Sequence, residues 1–382
     1  MLARILILGV SLLLALAAGE FALRAVGVGT RDLNPVDART GLRTYPPNRE
    51  IPLRTACFEN TIRTNASGFH AREHAQQKPP GTFRIVILGD SFVAAAEVDR
   101  DRSFSARLED LLNASASGTR FEVIPVGMPG NGTFANLQYL AAYGLAFQPD
   151  LVLDIYNIND LENDAFDNTI PLRTAAIRDT VLSGTVGVAP ARAGDVSPAR
   201  AWIKGTAQKS ALMVTAYTAY LNIKARASAA PSANTGTATP PPLTPASMYL
   251  VDPPQEVLAA WDRQASLLAA MRDIAAHAGA RFAVASLTAD NRVNEVHYQE
   301  SLPSLPPGAV TDPYALETRL TAIAEQLEVA YLPTVSAFST LRMASGPAAW
   351  PCDGHYNEAG NTYFSQVLYD GLRQNSGLLS SD

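Results

Sequence analysis

The segment Arg84-Ile85-Val86-Ile87-Leu88 is apolar after its first residue and ends at Gly89-Asp90-Ser91-Phe92. An unbroken apolar run of this length, closed by a glycine turn, predicts a strand buried on both faces, as in a parallel sheet. Similar runs at 121–126, 151–156, 281–287 and 329–332 predict four more strands. Between them, apolar residues recur at helical spacing over 104–113, 134–146, 255–278 and 314–327, with a last stretch at 358–373. Strands alternating with amphipathic helices predict an α/β fold, a three-layer α/β/α sandwich around a central parallel sheet.

The pattern changes in three places. The chain opens with Met1-Leu2-Ala3-Arg4, an uncharged stretch from residue 5 to residue 19 with small residues at Ala15, Ala17 and Ala18, and then Glu20 and Arg24. A basic start before an apolar run predicts export, so residues 1–24 read as a signal peptide or as a membrane anchor tethering through residues 5–19. Residues 25–81, rich in Pro, Asn and Arg and with little periodicity, predict an irregular N-terminal arm. Residues 82–165 and 253–382 then form the α/β domain, interrupted at 166–252 by an insertion rich in Gly, Ala, Ser, Thr and Pro. Its tip at 231–242 is poor in apolar residues, which predicts mobility there. An insertion after the third strand emerges on the ligand side of the sheet, which makes it a candidate lid; a surface decoration without function is the alternative.

With 382 residues, 47% hydrophobic and 17% charged, the chain can bury one large core. The net charge of −6 leaves no basic surface to neutralise phosphates, which excludes nucleic acid as a partner class. Cys57 and Cys352 are the only two cysteines, and export would place them in an oxidising compartment. A disulfide and two free buried thiols are both open; a bridge would tie the N-terminal arm to the segment carrying Asp353 and His355.

That segment, Trp350-Pro351-Cys352-Asp353-Gly354-His355-Tyr356-Asn357, sets one of five histidines two residues after an aspartate, just before a predicted helix. Acyl transfer needs a nucleophile, a base, a group that orients the base, and donors for the oxyanion. Ser91, presented at a strand's carboxyl end, is the candidate nucleophile; His355 is the candidate base, and Asp353 the carboxylate that fixes its tautomer. Gly127-Met128-Pro129-Gly130-Asn131-Gly132, after the second predicted strand, and the Asn159 amide, after the third, supply candidate donors. Three successive strands therefore end in polar elements on one edge of the sheet, where open α/β sheets bind ligands. His70, His74, His277 and His297 show no metal-ligand grouping, and the Gly127–Gly132 glycines lack the lysine of a phosphate loop. The chemistry calls for no metal and no cofactor.

Gly89-Asp90-Ser91-Phe92, Gly130, Asn159-Asp160 and Asp353/His355 resemble, in order and spacing, the four motif blocks of the SGNH (GDSL-like) hydrolases, over residues 84–373 without the insertion. The resemblance implies a flavodoxin-like sandwich, Ser91 as nucleophile, Asp353 and His355 completing the triad, and an oxyanion hole formed by the Ser91 N–H, the Gly130 N–H and the Asn159 amide. Two features depart from the commonest pattern: Asp353 and His355 are separated by one residue rather than two, and Asn157 stands where many members carry glycine. Glu20 with Leu23-Arg24, and Asn65-Ala66-Ser67-Gly68-Phe69, are similar to elements of an exported branch associated with O-acetylation and deacetylation of polysaccharides. This implies a periplasmic or extracellular esterase acting on an acyl ester, with O-acetyl or short acyl groups on a carbohydrate as substrate. The alternatives are a polysaccharide O-acetyltransferase, a lipid or thioester hydrolase with an apolar channel under the insertion, and a non-catalytic carbohydrate-binding or scaffold protein of the cell envelope.

Overall fold

The computed structural model describes residues 2–25, 33–37, 39–115, 118–165, 167–184, 210, 212, 213, 215, 245–287, 302–305 and 307–380. The predicted mobile tip at 231–242, and most of the 166–252 insertion, lie outside these. The chain divides into two compact units, Met1–Pro35 with Ala191–Thr239, and Val36–Pro190 with Pro240–Asp382.

In the first unit, helix α1 (Leu2–Ala25) carries Glu20, which pairs with Arg24 one turn on and accepts hydrogen bonds from Ser210 Oγ at 2.9 Å and the Leu212 N–H at 3.0 Å. Among the described residues no helix is long and apolar enough to cross a membrane.

The second unit is built on a parallel sheet of β3 (Thr82–Gly89), β4 (Arg120–Gly127), β5 (Leu151–Tyr156), β6 (Arg281–Ser286) and β7 (Ala330–Leu332), in the order β4-β3-β5-β6-β7. All eight residues of β3 and all six of β5 are buried, which is why their sequences are mostly apolar rather than alternating, with Arg84 and Asp154 the buried charged exceptions. Residues alternate between two helical layers. Phe83, Ile85, Ile87, Leu151, Leu153, Ile155, Ala283 and Ala285 pack with α3 (Phe104–Ser115), the helix Val335–Ser345 and the last helix Glu358–Gln374, through Phe104, Leu108, Phe338, Phe364 and Leu368. The opposite face receives α4 (Thr133–Tyr139), the helix Gln255–His277 and the helix Ala315–Leu327; there Tyr156 stacks on Trp261 at 5.8 Å. The three-layer sandwich follows, and its strand order reverses between β3 and β5, so ligands belong outside the carboxyl ends of those strands.

Arg84 is completely buried at the start of β3. It is neutralised by Glu122 of β4 at 2.8 Å and donates to the carbonyls of Gln76 at 2.7 Å and Phe147 at 2.6 Å, which anchors the incoming chain to the sheet.

The arm departs from the irregular reading. Within residues 25–81, β1 (Glu50–Arg54) and β2 (Glu59–Arg63) form an antiparallel hairpin. Its charged outer positions and Pro52 hide the alternation, while Ile51 and Ile62 pack inward as cross-strand partners. Likewise, part of the insertion is ordered: α6 (Ile170–Leu182) packs against the helix Gln255–His277, and Arg178 of α6 pairs with Asp273 at 2.7 Å. The helix expected over 134–146 ends at Tyr139 and gives way to a wider turn at Leu140–Gly144, whose Gly144 lies against Val86.

Candidate active site

The carboxyl end of β3 leaves no room for a side chain at Gly89. A methyl group on Gly89 would sit 2.4 Å from a Val93 methyl, and one on Gly127, its partner on β4, would sit 2.6 Å from Val93 and 3.0 Å from the Asp90 carbonyl. The two glycines let α2 (Ser91–Ala94) pack down on the strand ends with Ser91 as its first residue. Asp90 caps this turn by accepting from the Phe92 N–H at 3.0 Å.

Ser91 Oγ lies 2.8 Å from Nε2 of His355. The other ring nitrogen of His355, Nδ1, is hydrogen-bonded to Asp353 Oδ1. The turn that brings these two side chains together is tight: Trp350 N–H donates to the His355 carbonyl at 2.9 Å, the Gly354 N–H to the Trp350 carbonyl at 2.8 Å, and Gly354 takes φ +90°. One residue between Asp353 and His355 suffices because that residue is a glycine in the left-handed region. Phe92 packs against the imidazole at 4.8 Å, tilted by 42°, and edge-on against Tyr356 at 4.9 Å.

The predicted oxyanion donors lie on the neighbouring strand ends. Met128-Pro129-Gly130-Asn131 forms a turn closed by the Asn131 N–H on the Met128 carbonyl at 3.1 Å, with Gly130 at φ +81°. Asn131 ties this turn back to the Gly89 carbonyl at 3.3 Å. Asn159 sits in the first turn of α5 (Ile158–Ala165), and its amide Nδ2 donates to Asp90 Oδ2 at 3.1 Å; Asn157 donates to the same oxygen at 2.7 Å. An amide nitrogen has two hydrogens, so Asn159 keeps one donor beyond its bond to Asp90.

Cys57 and Cys352 are joined by a disulfide with Cα atoms 5.7 Å apart, and Phe58 and Trp350 pack beside it at 5.9 Å. The β1–β2 turn is thereby fixed to the residue preceding Asp353. His70 and His74 are structural: His70 accepts from the Arg63 N–H at 2.9 Å and bonds the Val98 carbonyl at 3.0 Å, burial holding its pKa below the usual value, while His74 meets Glu109 at 2.9 Å.

Two features escaped the sequence reading. Glu97, which follows α2, places Oε1 3.7 Å from His355 Nδ1, with a side chain only 10% exposed. Its carboxylate, that of Asp353 and the imidazole bring ligand atoms within 4.8 Å of one another, the one grouping among the described residues that could hold a metal ion. The other is an acidic cluster beneath the site, where Asp154 bonds Asn136 at 3.0 Å, Asp160 accepts from Thr133 at 3.3 Å and Asp164 from Gln264 at 3.2 Å. Burial raises the pKa of Asp154 to about 7 and that of Asp164 to about 6, and pushes that of Asp160 up as well.

No family model and no curated protein matches the chain. Among solved structures it is similar to the acetyl xylan esterase AlAXEase (10% identity, 76% of this chain and 100% of that one, TM-score 0.41). It is also similar to a catalytic mutant of Axe2, an acetylxylan esterase from Geobacillus stearothermophilus (12%, 76% and 94%, TM-score 0.40). A third similar structure is the psychrotrophic esterase EstA from Pseudoalteromonas sp. (14%, 77% and 98%, TM-score 0.40). These likenesses are distant.

Proposed function

We propose that this chain is a serine esterase of the SGNH type that removes acyl groups, O-acetyl or other short ones, from a carbohydrate. The observation that carries the reading is the line Ser91 Oγ, His355 Nε2, His355 Nδ1, Asp353 at the carboxyl ends of β3 and β5. His355 takes the Ser91 proton as Oγ attacks the ester carbonyl, and Asp353 stabilises the imidazolium that forms. The N–H groups of Ser91 and Gly130 and the second hydrogen of the Asn159 amide stabilise the tetrahedral anion. His355 then protonates the departing sugar oxygen, leaving an acyl-serine. Water releases the acid, or a second sugar hydroxyl accepts the acyl group.

The carbohydrate assignment is supported by the flanking elements around Glu20, Arg24 and Asn65 to Phe69 that resemble those of exported polysaccharide-modifying proteins. Export is supported by the apolar run at 5–19 and by the pairing of the two cysteines. An aligned serine, histidine and carboxylate favour turnover over a binding or scaffold role.

The test is release of acid from acetyl and butyryl nitrophenyl esters and from an O-acetylated xylo-oligosaccharide by wild type and Ser91→Ala. Release abolished by the substitution supports the reading. A folded wild type that neither releases acid nor transfers the acyl group to an added oligosaccharide overturns it.

A further inference from the structure

Glu97 has no role in the triad, yet it is buried against it. Asn60 of β2 donates both to the Ala96 carbonyl at 2.8 Å and to the Val98 carbonyl at 2.6 Å, gripping the backbone on either side of Glu97. His70 bonds the same Val98 carbonyl, and Arg63 of β2 pairs with Asp99. The hairpin that holds Glu97 also holds the loop of Asp353, through Cys57–Cys352. Both carboxylates that face Nδ1 of His355 are therefore fixed by one structural element.

We propose that Glu97 is a second carboxylate for His355, a positioning residue that shares the Nδ1 edge with Asp353 and stabilises the imidazolium formed when Ser91 loses its proton. This rests on the serine mechanism above and adds a pH dependence to it. The groups facing Glu97 are His355, Asp353 and Asp90 around the site and Tyr45 from the arm. Burial raises its pKa to about 7; Asp353 and Asp90 push the same way, while His355 opposes them. Below that pH the carboxyl is neutral and Asp353 acts alone. Above it a second negative charge faces the imidazole, and the serine is the better nucleophile.

The test is Glu97→Gln, which keeps size and shape, with EDTA present throughout so that no metal bridges the three side chains. At pH 8 kcat/KM is expected to fall about tenfold, and at pH 5.5 to change little. In an Asp353→Ala background the same substitution is expected to cost more than in wild type, because Glu97 is then the only carboxylate left on Nδ1. Independently of turnover, the proton NMR signal of the His355 Nδ1–H in Ser91→Ala should move on Glu97→Gln. Superimposable pH profiles, an equal or smaller cost in the Asp353→Ala background, or an unmoved Nδ1–H signal would each overturn the role of Glu97. Failure of the esterase reading appears separately, as no turnover in wild type, and leaves the Nδ1–H signal decisive for Glu97.

Discussion

The Asn159 amide is held at 3.1 Å by Asp90, the residue immediately before Ser91. One carboxylate thus caps the serine turn and orients a donor arriving from another strand. We expect Asn159→Ala to lower kcat about 10²- to 10³-fold with KM little changed, the effect of losing one oxyanion donor. Asp90→Ala should also lower kcat, since it frees the same amide; steady-state kinetics on a short acyl ester checks both.

Asp154 lies in the middle of the sheet with one oxygen bonded to Asn136 and its pKa raised by burial from 3.8 to about 7. The folded state therefore holds this proton to higher pH than the unfolded chain does. Its stabilising contribution is full below 3.8 and is lost as pH rises through about 7. Asp154→Asn should remove that slope and raise Tm at pH 8 by roughly 2–4 °C, about what 1 kcal/mol gives in a domain of this size. Thermal melts from pH 4.5 to pH 8 measure it, and a wild type whose extra pH sensitivity survives the substitution contradicts it.

Glu122 neutralises an arginine with no exposure to solvent. Glu122→Ala should cost about 3–5 kcal/mol in denaturant unfolding, because the Arg84 charge stays buried without its partner. Replacing Arg84 instead strips donors from the Gln76 and Phe147 carbonyls, so Arg84→Met should be destabilising too.

Cys57→Ser with Cys352→Ser should lower stability by about 2–4 kcal/mol and reduce kcat as well, since Cys352 is joined to Asp353. Labelling of Ser91 by a fluorophosphonate should slow in parallel. A loss of stability with unchanged labelling would show that the bridge serves the fold alone.

The sheet was legible because parallel strands buried on both faces leave largely apolar runs, as at 85–88 and 151–156. Ser91, Asp353 and His355 were legible because glycines and turns mark where a chain presents side chains at a sheet's edge. Glu97 was not, because an isolated glutamate after an alanine run has no partner at any local spacing; only Asn60 and the folded hairpin place it beside His355. The helix Val335–Ser345 was missed because Phe338 alone is fully buried along it, too little to give a helical stripe. Asp154 hid inside a strand read as apolar, and its burial depends on Asn136 from a separate helix.

The disulfide closes a span of 295 residues, so the two ends of this bond leave the ribosome at opposite stages of synthesis. A nascent chain carries Ser91 and Glu97 long before it carries His355, and the anchor for the Asp353 loop waits on Cys352 and on an oxidant. Assembly of this arrangement in that sense waits on synthesis past His355 and on oxidation; a still-reduced chain has Ser91 facing a histidine on an unanchored loop.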